Sequence, residues 1–368
     1  MSLRAGGLAT NMTQVQGTVA PGFEDVRERF AASVEAESAQ YGDPGAQLSV
    51  RVHGRPVVDL WSEGLPGDAL TGVFSVAKGA SHLTVALLVR DGVLSLDQPA
   101  WGLTLREVLG HRAGLIAADG GFTPEEVADD RLLAERLSRQ KPFWTPGAAY
   151  GYHALTVAAL TGAVVREATG RSLQDIYAER IRAPYGLELY LGLPEELEPR
   201  YREVLPFPEP LPPGDPESLM AKAFTPPQGG LDAFINTRAA RAGGQGSAGG
   251  VGNARGVAGL YAAALTLLDE QTAAEFARLS SPGTDLVTGE EDHFGLGFER
   301  VSAKYPYLGE EAFGHGGAAG SMGWADPSTG VAYGYVRRRM AWPPGGGAAE
   351  NVPLGEAVIA AARAFAGR

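Results

Sequence analysis

The chain has 368 residues, of which 44% are hydrophobic and 20% charged, a normal globular balance at a length that suits two lobes or one large α/β domain. Its formal net charge of −12 argues against nucleic acid or an anionic membrane as the main partner. The absence of cysteine excludes disulfides and thiolate metal sites and leads us to expect a reducing, cytoplasmic setting.

Met1 to Pro21 carries no apolar core of signal-peptide length and reads as a flexible leader over residues 1–21. Phe23, Val26, Phe30 and Val34 recur at helical spacing on an otherwise charged segment. Gln47 to His53 then alternates like a strand, Gly54-Arg55 makes a turn, and Pro56 to Trp61 is the hairpin partner.

Val73-Phe74-Ser75-Val76-Ala77-Lys78 opens a run that keeps a helical pattern to Val89, and Asp91-Gly92 stops it. The run is apolar nearly all round, which predicts a buried helix. Three residues apart, Ser75 and Lys78 share one helix face. Serine is a poor nucleophile until a neighbouring base takes its proton, and a desolvated lysine can be that base. Ser138 and Lys141 repeat the spacing in a polar run ended by Pro142, where nothing would desolvate the lysine; that copy reads as solvated surface.

Leu105 to Leu109, Pro124 to Leu137, Leu155 to Ala168 and Leu173 to Ile181 read as helices. Prolines are dense from Pro194 to Gln228, an irregular segment expected to wrap the surface or rim a cleft. The glycine-rich stretch Gly243 to Gly252 lacks the Gly-Lys-Ser/Thr ending of a phosphate loop and reads as a flexible loop over a pocket or a disordered one. Helices are expected over Val257 to Leu268 and Gln271 to Leu279. Strands are expected over Phe294 to Phe298, Glu311 to Phe313, Ser321 to Ala325 and Val331 to Val336, with a closing helix from Val352 to Phe365. Strands thus lie toward both ends: 22–98 and 235–368 would form one α/β domain, and 99–234 a mostly helical insertion. No apolar run reaches 18 residues, so no membrane span is expected.

Two further stretches carry chemistry. The turn at Pro146-Gly147 delivers Tyr150 or Tyr152 to a rim, and a tyrosine whose pKa is lowered by nearby cations can act as a general base. Phe313-Gly314-His315-Gly316-Gly317-Ala318 strips side chains from a strand end, so that its backbone can approach a ligand closely. An N–H on that edge, with the N–H of Ser75, would form an oxyanion hole.

Ser-x-x-Lys opening a buried helix, a tyrosine turn about eighty residues later and a His-Gly-Gly strand near the C-terminus together resemble the penicillin-recognising serine hydrolases. The resembling branch holds class C β-lactamases, D-amino-acid peptidases and family VIII carboxylesterases. Leu105-Arg-Glu-Val-Leu-Gly-His111-Arg-Ala-Gly114-Leu115 is similar to that family's Leu-Leu-x-His-x-Ser-Gly-Leu segment, and Val165 to Leu173 to its helix ending after the tyrosine.

The resemblance implies a β-lactamase/transpeptidase-like fold of the α/β (α+β) class, an antiparallel sheet flanked by helices with a mostly helical second lobe. It implies acyl-enzyme chemistry with Ser75 as nucleophile, Lys78 as its partner and a phenolate-like Tyr152 as base. Ala318 would complete the oxyanion hole, with His315, Gly316, Gly317 and His153 as substrate-binding positions. No metal or organic cofactor is implied. Two departures bear on substrate. Ala154 stands where the family has an asparagine that holds the amide of β-lactams. His315 stands where a lysine binds the substrate carboxylate, and a mostly neutral imidazole attracts an anion less. Both fit an uncharged ester, with a D-amino-acid peptidase or amidase, a weak β-lactamase, or a non-catalytic binding protein on the same fold as the alternatives.

Overall fold

The computed structural model describes residues 15–42, 45–210, 214–224, 230–341 and 347–366. Its centre is a six-stranded antiparallel sheet of β1 (Gln16–Val19), β2 (Ala46–Val52), β3 (Arg55–Trp61), β4 (Phe313–Gly316), β5 (Met322–Asp326) and β6 (Val331–Arg337), in the order β1-β3-β2-β6-β5-β4. His53 and Gly54, both at positive φ, close the β2–β3 hairpin. β4 is a sheet edge, and the remaining architecture builds the site beside it.

Strand alternation sorts the two faces. Leu48, Val50, Trp324, Tyr333 and Tyr335 pack on one face under the terminal helices Glu24–Tyr41 and Asn351–Ala366, which contribute Val26, Phe30, Val34, Leu354 and Val358. The opposite face is built from small residues. There the helix Ala254–Leu267 lies so close that a Cβ on Gly334 would come within 2.5 Å of the Ala254 carbonyl oxygen, and one on Gly323 within 2.4 Å of the Tyr261 ring. Behind it lies the helix Ala77–Arg90, buried over all but its last two residues. Gln47 points to this face from β2 and accepts the Ala254 N–H through Oε1 at 3.0 Å, meeting one orphan donor of that helix N-terminus.

Four expectations change. Gln16–Val19 is not leader but an edge strand paired with Val58 to Trp61; residues 1–14 of the expected leader lie outside the described residues. The helix expected over Pro124 to Leu137 divides at Asp129 into Pro124–Ala128 and Asp130–Leu137, because the Asp129 side chain caps Arg131 N and Leu132 N in extended geometry. Phe294 to Phe298 is no strand: Gly297, at φ +82, turns the chain against the His82 ring, leaving only isolated bridges at Phe294. The glycine-rich stretch from Gly244 to Gly252 is buried, lying against the Ser75 helix; a Cβ on Gly250 would sit 2.5 Å from that of Ala77. Among the described residues, no helix is long and apolar enough to cross a membrane.

Candidate active site

The short strand Thr71–Gly72 runs into a 3-10 turn, Phe74–Val76, that carries Ser75 directly into the helix Ala77–Arg90. Phe74 sits at φ +50, a left-handed conformation that costs a bulky residue about 1–3 kcal/mol and persists only where its surroundings hold it. Here Phe74 is 1% exposed in a cluster with Leu70, Ile235 and Val251. The sharp turn leaves Ser75 just accessible at 7% exposure, while Lys78 behind it is fully buried.

Lys78 Nζ lies 3.2 Å from Ser75 Oγ, 2.6 Å from the Ala154 carbonyl oxygen and 2.8 Å from that of Ser247. Burial drives its pKa well below the usual lysine value, with Glu299 and Asp130 opposing the shift. A neutral amine has two N–H groups and one lone pair. The two carbonyls take the N–H groups, and the lone pair is left to accept the Ser75 hydroxyl proton.

Tyr152 OH donates to Ser75 Oγ at 2.8 Å, completing a chain from phenol to hydroxyl to amine. Its ring is stacked on Phe294 with centroids 5.4 Å apart and is flanked by Phe224, His111 and His315. Burial, reinforced by the Glu299 charge, pushes its pKa well above 10 despite the Ser75 hydrogen bond. The expected phenolate-like tyrosine is therefore a neutral phenol in the resting site. Tyr150, the other candidate, points away and donates to the Gly283 carbonyl at 2.7 Å.

β4 reaches the serine turn closely. A Cβ on Gly317 would lie 2.5 Å from the Val73 carbonyl oxygen, so a side chain there would separate the two backbones that bring Ala318 and Ser75 together. His315 on β4 is fully buried; its Nδ1 lies 3.0 Å from Glu299 Oε1 and 2.8 Å from the Gly316 carbonyl, and its Nε2 has no partner among the described residues. Burial lowers the His315 pKa to about 4, so the imidazole is neutral at physiological pH. Glu299 remains the anion: burial pushes it up, but His315 and His293 outweigh this and hold it at about 2. Its Oε2 accepts the Gly316 N–H at 3.1 Å, tying the carboxylate to the strand.

His153 does not face a ligand, contrary to expectation. Its Nδ1 bonds the Gly151 carbonyl at 2.7 Å, its Nε2 accepts the Leu115 N–H at 3.2 Å, and its own N–H donates to His111 Nδ1 at 3.1 Å. Both ring nitrogens hold backbone, so His153 shapes the tyrosine turn instead. Ser138 and Lys141 are exposed, unlike Ser75 and Lys78. Sequence reasoning did not find Glu299, which follows a glycine-broken apolar run and carries no motif, nor the carbonyls of Ala154 and Ser247, which no side-chain pattern can reveal. Among the described residues, no group of three or more His, Cys, Asp or Glu is placed to hold a metal ion.

Sheet, buried Ser-x-x-Lys helix and adjoining glycine strand together define a β-lactamase/transpeptidase-like hydrolase. The β-lactamase family matches residues 30–354, and the chain belongs to it. Among solved structures, EstA from Arthrobacter nitroguajacolicus Rue61a is similar at 37% identity and a TM-score of 0.87, over 96% of this chain and 100% of that one. A family VIII carboxylesterase is similar at 28% identity and a TM-score of 0.81, over 95% of this chain and 100% of that one. The esterase/β-lactamase LipL of Mycobacterium tuberculosis is 28% identical over 90% of this chain and 84% of its own length.

Proposed function

We propose that the protein is a serine carboxylesterase acting on small or medium esters with uncharged acyl groups. The observation that carries this reading is the state of β4. Where a β-lactam or peptide carboxylate would need a cation, the strand offers a buried, neutral His315 backed by the Glu299 anion. Such a wall disfavours anionic substrates and tolerates esters. The names of the family VIII carboxylesterase and of the esterase/β-lactamase LipL support the same class.

In the proposed reaction Ser75 Oγ attacks the ester carbonyl as its proton passes to the neutral Lys78 amine. The N–H groups of Ser75 and Ala318 hold the oxyanion. As the C–O bond to the leaving group breaks, Tyr152 OH delivers a proton to the departing alkoxide, and Lys78 returns its own to the phenol oxygen. Water then adds to the acyl carbonyl along the same path in reverse, releasing the acid and restoring the Ser75 hydroxyl. Tyr152 is thus a relay that is never a free phenolate in the resting enzyme.

Parallel hydrolysis of p-nitrophenyl butyrate, D-phenylalanine p-nitroanilide and nitrocefin tests the substrate class. The ester should exceed both others in kcat/KM by at least an order of magnitude. A nitrocefin or D-anilide value equal to that of the ester overturns the reading in favour of a β-lactamase or D-peptidase.

A further inference from the structure

The Lys78 amine is held partly by a carboxylate it does not touch. The Ser247 carbonyl that accepts from Nζ belongs to a buried turn over residues 245–248. The side chains of Gln245, Ser81 and Asp130 fasten that turn. Gln245 accepts the N–H groups of Ser247 and Ala248 through Oε1 and donates to the Leu155 carbonyl, so it joins the turn to the segment that supplies the Ala154 carbonyl. Ser81, one helical turn beyond Lys78, donates to the Gly246 carbonyl at 2.8 Å. Asp130 accepts the Gly246 N–H through Oδ2 at 2.9 Å, next to the residue whose carbonyl holds Lys78.

We propose that Asp130 is a positioning residue for Lys78, acting through the 245–248 turn that it anchors and through the field of its charge. It is a buried acid at the start of the helix Asp130–Leu137, 7% exposed, and among the described residues Gln174 Nε2 at 2.7 Å and the Gly246 N–H bond its Oδ2. Among the described residues its Oδ1 has no donor. A carboxylate this poorly compensated is costly to bury unless its negative charge has a use. Burial raises its pKa to about 6, and its charge in turn raises that of Lys78.

The groups facing Asp130 do not cancel its charge. Asp129, Arg131 and Glu135 lie on or beside its own helix, Arg166 and Glu167 on the helix Val157–Thr169, and Gln174, which is neutral, on Leu173–Tyr177. All but Asp129 line, with Asp130 itself, a cleft of about 440 Å³ that does not include Ser75, Lys78 or Tyr152. Two linked sites follow: protonating Asp130 lowers the proton affinity of Lys78, and the ionised carboxylate restores it.

This inference rests on the roles proposed for Ser75 and Lys78, so the test reads serine reactivity rather than substrate preference. The rate of fluorophosphonate labelling at Ser75 is followed against pH for the wild type, Asp130→Asn, Asp130→Ala and Gln174→Leu, with melting temperature recorded for each. Labelling requires neutral Lys78 and rises with pH through its pKa. Asp130→Asn keeps an oxygen for the Gly246 N–H but removes the charge, so the rise should move to lower pH. Gln174→Leu makes Asp130 easier to protonate and should shift the rise the same way by less. Asp130→Ala should in addition lower the limiting rate several-fold, because the turn loses its anchor. A purely structural acid would lower melting temperature and leave the position of the rise unchanged. Superimposable profiles for the wild type, Asp130→Asn and Gln174→Leu overturn the proposal, and Gln174→Leu decides alone if Asp130→Asn does not fold. A wild type unlabelled at Ser75 instead overturns the active-site reading beneath it.

Discussion

Tyr150 and Tyr152 stand two residues apart, and the structure gives their hydroxyls opposite surroundings. Removing each in turn separates catalysis from packing. Tyr152 OH lies 2.8 Å from Ser75 Oγ, whereas Tyr150 OH lies 2.7 and 3.3 Å from the carbonyls of Gly283 and Glu290. A positioned proton-transfer group contributes about 10²–10⁴ in rate, so Tyr152→Phe should raise the barrier by about 2.7–5.4 kcal/mol. The phenyl ring keeps its stacking on Phe294, and the fold should survive. Tyr150→Phe leaves one carbonyl acceptor without its donor, a loss of about 0.5–1.5 kcal/mol in stability with little effect on turnover. In a protein of this size that lowers the melting temperature by only a few degrees, about 2–4 °C per kcal/mol at most. Steady-state hydrolysis of p-nitrophenyl butyrate, with a thermal melt of each variant, measures both quantities. The reasoning fails if Tyr152→Phe keeps kcat within tenfold of wild type while Tyr150→Phe shows the larger loss.

Three further outcomes are expected. Fluorophosphonate adducts should map to Ser75, and Ser75→Ala should abolish labelling and reduce turnover by several orders of magnitude; an adduct at exposed Ser138 would contradict this. Gly317→Ala should lower kcat at least tenfold, because its Cβ, 2.5 Å from the Val73 carbonyl oxygen, forces β4 away from the serine turn; a wild-type rate in a folded variant rules that out. Melting temperature should fall as pH drops from about 6.5 to about 4. His153 and His315 are depressed to about 4, so the stability of their neutral forms is fully present above the unfolded value and lost on protonation. Glu299, held at about 2, extends the loss below pH 4.5, while Asp130, raised to about 6, works in the opposite direction and is outweighed. A melting temperature that stays flat from pH 7 to pH 3.5 would count against these burial effects.

What the sequence by itself determined is local. A three-residue spacing on one helical turn suffices to put Ser75 and Lys78 together, and an apolar pattern all round suffices to bury the helix behind them. The same logic separated Ser75 from its polar copy at Ser138, and the three motifs in chain order pointed to the family that residues 30–354 then matched. Alternation likewise marked β2, because successive residues of a strand point to opposite faces of the sheet. Protonation states were not legible. Lys78 is poised by carbonyls 76 and 169 residues away in the chain, and Tyr152 stays a phenol because of burial and a glutamate that no motif marks. A glycine-rich stretch was equally ambiguous, since small residues serve a loose loop and a close backbone approach alike. Only the helix packed against Gly246 and Gly250 decided for the second. Spacing along the chain chose the reacting groups; which of them carries a charge was decided by what tertiary packing buries around them.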